Sequence, residues 1–200
     1  MKHLQRASVG TTKTFLGFGL GAIQAGLFLA EAQSSRVFER LVVAYRRADI
    51  IEHIRANQGR ITVNVAHKNG IEQQEIEHLE VYNVQEASDR ATLVEIIAQA
   101  DELATALSSV QDYDSQDEAS ISRLLAQGLA QRDPTKPAVL YTAENHTQAA
   151  ELLAREVAAH LNTEEPGKLI QGVAFVNTDI GKMSASVEGQ AMRQRQLTAI

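Results

Sequence analysis

The sequence contains no cysteine. This absence excludes a disulfide framework, a thiolate nucleophile and a zinc site of the finger type. It also agrees with a reducing compartment, so we expect a cytoplasmic protein. An excess of positive charge is missing too, because 19 Lys and Arg residues stand against 25 Asp and Glu residues, giving a net charge of −6. We therefore expect no nucleic-acid partner and no membrane partner.

Internal repeats, low-complexity tracts and an obvious interdomain linker are likewise missing. What is present is a chain of 200 residues with 44% hydrophobic and 22% charged residues. This composition is typical of a globular protein, and the length is sufficient for one domain with a substantial core.

The longest apolar run, residues 15–30 (FLGFGLGAIQAGLFLA), admits two interpretations. It follows a short basic segment and ends near small residues, which is the pattern of a secretory signal peptide. It can also be divided into a short strand over 13–16, a tight glycine turn over 17–22 and a helix from 22 to about 33. The strand-like run at 40–45, which follows at the spacing of a βαβ unit, favours this second interpretation.

The glycine turn matches the pattern G-x-G-x-x-A, a variant of the dinucleotide-binding fingerprint. Glycine tolerates positive φ and lets the backbone approach a ligand closely. The N-terminus of the following helix offers free N–H groups and a positive dipole end to a pyrophosphate. The turn predicted to bind the cofactor consists of Gly17, Gly19, Leu20, Gly21 and Ala22.

Strand and helix signals alternate along the rest of the chain. The dipeptide Asn69-Gly70 predicts a hairpin, so we expect a β-rich insertion around residues 60–84. The fold class is α/β, with a doubly wound, mainly parallel sheet of the Rossmann type. The predicted strands cover 40–45, 60–66, 71–77, 79–84, 102–107, 138–143 and 169–177, and the predicted helices cover 48–57, 88–98 (capped by Ser88), a segment around 121–129 introduced by a capping box at 115–118, and 147–161.

Four segments carry a family resemblance. The glycine turn with its helix comes first, followed by residues 100–106 (ADELATA) and 142–145 (TAEN), with a weaker match at 175–179 (FVNTD). In this order they resemble the N-terminal coenzyme-binding part of the mannitol-1-phosphate dehydrogenase and related polyol dehydrogenase family.

The resemblance implies hydride transfer between a nicotinamide cofactor and a polyol or polyol phosphate, so the implied partners are a dinucleotide and a small polyol-phosphate substrate. It further implies that Thr105, Ala106 and Ser108 lie along the nicotinamide side. Glu144 and Asn145 would reach the nicotinamide ribose or the substrate.

The choice between NAD and NADP depends on the residues after the second strand. An NAD enzyme usually has an acidic residue there, about 20 residues past the turn, for the ribose 2′-OH. Here Arg46 and Arg47 come first and Asp49 follows. Paired arginines suit a 2′-phosphate, so NADP is favoured over NAD, although a solvated loop pair is an equal alternative.

The family's catalytic lysine belongs to a helical C-terminal domain and to a K…N…H pattern. Lys168 and Lys182 have no suitably spaced Asn and His after them, so the catalytic residues are unassigned. We expect residues 1–183 to be the NAD(P)-binding domain and residues 184–200 to lead into an absent helical domain. The chain alone is then expected not to turn over a polyol. A homodimer remains one open alternative.

Other candidate sites in the sequence are weaker. The six histidines show no metal-ligand spacing, and we expect no metal site. Only His67, after the third predicted strand, and His146 occur where a Rossmann site would be. Two other functions stay open: a non-catalytic nucleotide-binding or sensor module, and a secreted α/β protein.

Overall fold

A six-stranded parallel sheet forms the centre of the protein. The computed structural model describes residues 13–115, 117–161 and 172–181. The strands there are β1 (Thr14–Phe18), β2 (Arg40–Tyr45), β3 (Ile61–His67), β4 (Gly70–Ile76), β5 (Glu80–Asn83), β6 (Glu102–Thr105), β7 (Ala138–Thr142) and β8 (Val173–Asn177). The sheet has the order β5-β2-β1-β6-β7-β8, and all its neighbouring pairs are parallel. This is the doubly wound Rossmann order, which confirms the predicted fold class.

Helices cover both faces of the sheet. The first helix spans residues 22–35: it widens into a π-helical turn over Gln24–Leu29 and continues as α1 (Ala30–Ser35). The other helices are α2 (Ala48–Ala56), α3 (Ala87–Gln99), a 3₁₀ turn (Val110–Tyr113), α4 (Ile121–Leu129) and α5 (Ala149–His160).

The alternation of side chains along the strands divides the apolar core into two layers. In β1, Leu16 and Phe18 pack with α3, α4 and α5 on one face. Phe15 packs with the first helix and α2 on the other face. Such continuous apolar strands are typical of a parallel sheet buried on both sides.

The predicted β-rich insertion is partly confirmed. β3 and β4 form a separate antiparallel hairpin, in which Ile61 pairs with Ile76. The side chain of Gln33 attaches this hairpin to α1, since its amide nitrogen donates to the Glu75 carbonyl at 2.6 Å. However, β5 belongs to the main sheet, where it is the third parallel strand. His67 therefore does not follow a strand of the main sheet, and the expectation that it does is wrong.

Side chains occupy the outer side of the edge strand β5. Arg55 donates to the Val81 carbonyl from Nε at 3.1 Å and from Nη2 at 2.8 Å. The Asp89 carboxylate accepts the backbone N–H of Asn83 at 2.7 Å and also pairs with Arg55 at 2.6 Å. Two helices thus use an arginine and an aspartate to satisfy backbone groups that face away from the sheet.

Two predicted helix starts are wrong. Glu86, not Ser88, is the N-cap of α3, and it makes no side-chain capping hydrogen bond. Ser120, rather than the predicted box at 115–118, caps α4 by accepting the Arg123 N–H at 3.3 Å. The Ser120 hydroxyl is fully buried and also donates to Asp114 at 2.7 Å, so a tertiary contact determines where this helix begins.

Some predictions fall outside the described residues. These are the start of the strand predicted at 169–177, both late lysines and the segment 184–200. Within the described ranges, no helix has the combined length and apolar character that crossing a membrane requires.

Candidate functional site

Most predicted site residues follow the carboxyl ends of β1, β2, β6 and β7, while Thr105 is the last residue of β6 and Gly17 lies within β1. In a parallel sheet these ends meet at one edge. The strand order reverses between β1 and β6, since β2 lies on the other side of β1. Ligands of doubly wound sheets bind in the crevice at such a switch point.

The glycine turn begins two residues later than predicted. Gly17 and Phe18 lie within β1, so their assignment to the turn is wrong. The turn begins at Gly19, whose φ of +91° is rarely adopted by residues with side chains. A Cβ at Gly19 would lie 2.6 Å from the Ala106 carbonyl oxygen. Gly19 therefore lets the β1 turn pack directly on the backbone that follows β6.

Gly21 leaves the start of the first helix open. It precedes that helix and is exposed, and its carbonyl accepts the Ala25 N–H at 2.9 Å. Among the described residues, and apart from its own chain neighbours, no atom lies within 4 Å of the position that a Cβ at Gly21 would take. Ala22 is exposed at the first helical position, while Leu20 is buried in the apolar layer. The free N–H groups of a helix start at such an open position can contact an anion.

Gln24, rather than Ala22, packs the first helix against β1. Its side chain is fully buried beside Gly17, where a Cβ would lie only 2.5 Å from Gln24 Cδ. When the fingerprint is counted from Gly19, Gln24 occupies its third conserved position, which normally holds a small residue. Gly17 makes room there for the large polar side chain of Gln24. Neither amide atom of Gln24 has a hydrogen-bond partner among the described residues.

The two arginines after β2 differ in their partners. Arg47 forms a bidentate pair with Asp49, with distances of 3.2 Å from Nε and 2.6 Å from Nη2. Hydrogen bonding from Arg47 lowers the pKa of the Asp49 carboxyl. Arg46 is exposed and has no ion pair within the described ranges. The acidic residue expected for an NAD ribose is thus engaged by an arginine.

Glu144 points into the protein rather than into the crevice. Glu144 is buried, with 5% of its surface exposed. Its carboxylate accepts the Thr105 hydroxyl at 3.0 Å, the Leu107 N–H at 2.9 Å and the Tyr113 hydroxyl in a short hydrogen bond. The pKa of Tyr113 is raised far above its usual value, chiefly by burial and then by the hydrogen bond to Glu144. The phenol therefore stays protonated and donates.

Sequence reasoning did not identify Tyr113. It lies in a 3₁₀ turn and contacts a carboxylate 31 positions along the chain, and no local pattern indicates that contact.

Asn145 and Ser108 are exposed at the same edge. Ala106 connects the segment that carries Ser108 to the end of β1, because its N–H donates to the Phe18 carbonyl at 3.0 Å. His146 is also exposed, and its Nδ1 accepts the Gln148 N–H at 3.1 Å. In the described part of the chain, no group of three or more His, Asp or Glu residues is arranged to hold a metal ion.

Comparison with known proteins agrees with this architecture. The family model of the mannitol dehydrogenase Rossmann domain matches residues 13–197. A mannitol-1-phosphate 5-dehydrogenase from Shouchella clausii (strain KSM-K16) is 28% identical over 109 residues. That match covers 54% of this chain and 27% of the relative.

A structural comparison finds the same fold. Pseudomonas fluorescens mannitol 2-dehydrogenase, solved as a ternary complex with NAD and D-mannitol, matches with a TM-score of 0.62 and 11% identity. The match covers 83% of this chain and 41% of that chain. Since the family model matches most of the sequence, the chain belongs to the mannitol dehydrogenase Rossmann-domain family.

Proposed function

We propose that this chain is the NAD(P)-binding part of a polyol dehydrogenase that acts on a polyol or on a polyol phosphate of the mannitol-1-phosphate kind. The family membership supports this proposal, as does the solved mannitol 2-dehydrogenase, which carries NAD. When bound, the nicotinamide supplies the hydride chemistry. The chain's own residues bind the dinucleotide and place its nicotinamide beside the substrate.

The open backbone at Gly21 is the observation that carries the proposal. A pyrophosphate can approach the first turn of the helix there, because glycine has no side chain and, in the part of the chain that the structure describes, no neighbouring atom fills the space that a Cβ would take. The N–H groups and the helix dipole favour the negative charge. Gly19 keeps this turn packed against Ala106, so the nicotinamide half would extend towards Ser108 and Asn145.

A paired substitution tests the pyrophosphate position. Gly21→Ala is expected to weaken NADH and NADPH binding about ten-fold or more, roughly 1.4 kcal/mol, because its methyl group takes the space of the phosphate. Gly26→Ala is the matched control in the same helix, since its Cβ would meet only Val63 Cγ1, at an ordinary 3.6 Å. Fluorescence titration gives the affinities, and melting temperatures show whether both variants fold. Unchanged affinity in Gly21→Ala would contradict the proposed position.

The arginines after β2 lead us to propose NADP(H) as the preferred dinucleotide. Arg46 is exposed and forms no ion pair with the described residues, whereas Asp49 is already engaged by Arg47. A guanidinium fork suits a phosphate, and hydrogen bonds between charged groups contribute about 1.5–3 kcal/mol.

Side-by-side titration tests this preference. NADPH is expected to bind more tightly than NADH, and Arg46→Gln is expected to weaken NADPH about ten-fold while leaving NADH unchanged. Arg36→Gln is the control, because Arg36 is an exposed arginine at the far end of the first helix. Tighter binding of NADH by the unsubstituted protein would refute the preference.

A further inference from the structure

The Glu144 carboxylate connects the ends of two neighbouring strands. It belongs to the loop after β7, while its three donors, Thr105, Leu107 and Tyr113, belong to β6 or to the segment that follows β6. Thr105 and Tyr113 are fully buried. The carboxylate therefore holds these two segments together from inside the protein.

The donors of this cluster favour a carboxylate. Oε1 accepts a backbone N–H and Oε2 accepts two hydroxyl groups, so both oxygens serve only as acceptors. Burial of a charged carboxylate is costly, and hydrogen bonds from several donors offset that cost. A glutamine at position 144 would face its NH₂ group either to the Leu107 N–H, where two donors meet, or to the two hydroxyl groups, which would then have to accept and would lose the acceptor for their own protons.

These contacts reach the exposed residues of the crevice. Leu107 immediately precedes Ser108, and Ala106, next to Leu107, packs on Gly19 of the glycine turn. On the β7 side, Asn145 follows Glu144 directly and is exposed. The loop turns back at once, since the His146 N–H donates to the Glu144 carbonyl at 2.7 Å. The position of Glu144 thus determines how far Ser108 lies from Asn145.

We propose that Glu144 is a positioning residue for the nicotinamide half of the dinucleotide and that Tyr113 assists it. This inference rests on the proposed function. It replaces direct contact between Glu144 and the ribose with an indirect role, in which the buried carboxylate holds Ser108 and Asn145 at the spacing that the nicotinamide ribose needs. The adenosine half, which lies towards β2, does not depend on this cluster.

Dinucleotides and their adenosine fragments distinguish positioning from general stability. The affinity of the full chain is measured for each dinucleotide and for its adenosine fragment: NADH is compared with ADP, and NADPH with adenosine 2′,5′-bisphosphate. Melting temperatures are measured for the same variants. Glu144→Gln is expected to weaken the dinucleotides about ten-fold while each fragment stays within about two-fold. Tyr113→Phe is expected to give the same pattern with a smaller loss, about three-fold.

The Tyr113→Phe variant separates the indirect role from direct contact, because Tyr113 is buried beneath the crevice. Tyr82→Phe is the matched control, since it removes a Tyr–Glu hydrogen bond of 2.9 Å at the edge strand β5. If Glu144→Gln does not fold, Tyr113→Phe still tests the inference.

Three results would overturn the inference. Equal weakening of dinucleotides and fragments would show a general loss of structure. Unchanged dinucleotide affinity in Tyr113→Phe would show either that Glu144 has no positioning role or that it contacts the cofactor directly. If the unsubstituted protein binds neither the dinucleotides nor their fragments, the proposed function itself fails, and the inference fails with it.

Discussion

Replacement of Gln24 by methionine is expected to stabilise the protein. The Gln24 side chain is fully buried, and within the described ranges both of its amide atoms lack a hydrogen-bond partner. A buried polar group without a partner costs about 1–3 kcal/mol. Methionine has nearly the same length and volume and no polar amide, so it can occupy the space beside Gly17 with little repacking.

The expected gain is about 1–2 kcal/mol in the free energy of unfolding: two unpartnered amide atoms place the cost of burying Gln24 in the upper part of the usual range, at about 2–3 kcal/mol, and repacking takes back about 1 kcal/mol. For a chain of this size, each kcal/mol shifts the melting temperature by about 2–4 °C, so the expected rise is about 2–8 °C. Thermal unfolding and urea unfolding both measure this gain.

Gln127→Met provides the matched control for this experiment. Gln127 is an exposed residue of α4, and its replacement is expected to change the free energy of unfolding by less than about 0.5 kcal/mol. A Gln24→Met variant that is less stable than the unsubstituted protein would refute the reasoning. That result would show that the amide has a partner in the folded state, such as a buried water molecule.

Three further predictions concern packing, a helix end and acid stability. Gly128→Ala should lower the free energy of unfolding by about 1–3 kcal/mol in urea titration, because its Cβ would lie 2.5 Å from Ile97 Cγ2. Unchanged stability would contradict this close packing of α3 and α4. Arg132→Lys should lower the free energy of unfolding by about 1–3 kcal/mol in the same titration, because the guanidinium donates to several backbone carbonyls after α3 and before β7. A stability equal to that of the unsubstituted protein would refute this role. Hydrogen bonding from Ser120 lowers the pKa of Asp114 from 3.8 to about 2, so its stabilising contribution should be complete above about pH 4 and lost as the pH falls towards 2. Melting temperatures between pH 5 and pH 2 should therefore fall more steeply for the unsubstituted protein than for Asp114→Asn, and parallel curves would disprove this contribution.

The sequence predicts the framework well where apolar periodicity is strong. The strand predicted at 40–45 has the same bounds as β2, since its buried run is continuous and contains two β-branched valines. The end of β1 is predicted less well, because a glycine such as Gly17 is compatible with both a strand and a turn. The alternating pattern at 60–66 predicts a strand, but it does not indicate whether that strand joins the main sheet or a separate hairpin.

In the site, too, local patterns are predicted from the sequence and long-range contacts are not. The glycine turn and the arginines are local patterns, so the sequence places them at the carboxyl edge. The inward direction of Glu144 depends on Tyr113, which is distant along the chain, and on Thr105 in another strand. Contacts of this kind arise from the packing of strands and loops and leave no periodic signal in the sequence.

The occupied edge of β5 affects solubility as well as folding. An exposed edge strand with unsatisfied backbone groups is a template for pairing with another chain and a frequent origin of aggregation. Arg55 and Asp89 already occupy the Val81 carbonyl and the Asn83 N–H, so a foreign strand could pair there only by displacing both side chains. A protein that lost this pair could keep its fold and still precipitate, because resistance to sheet extension at this edge depends on two helical side chains.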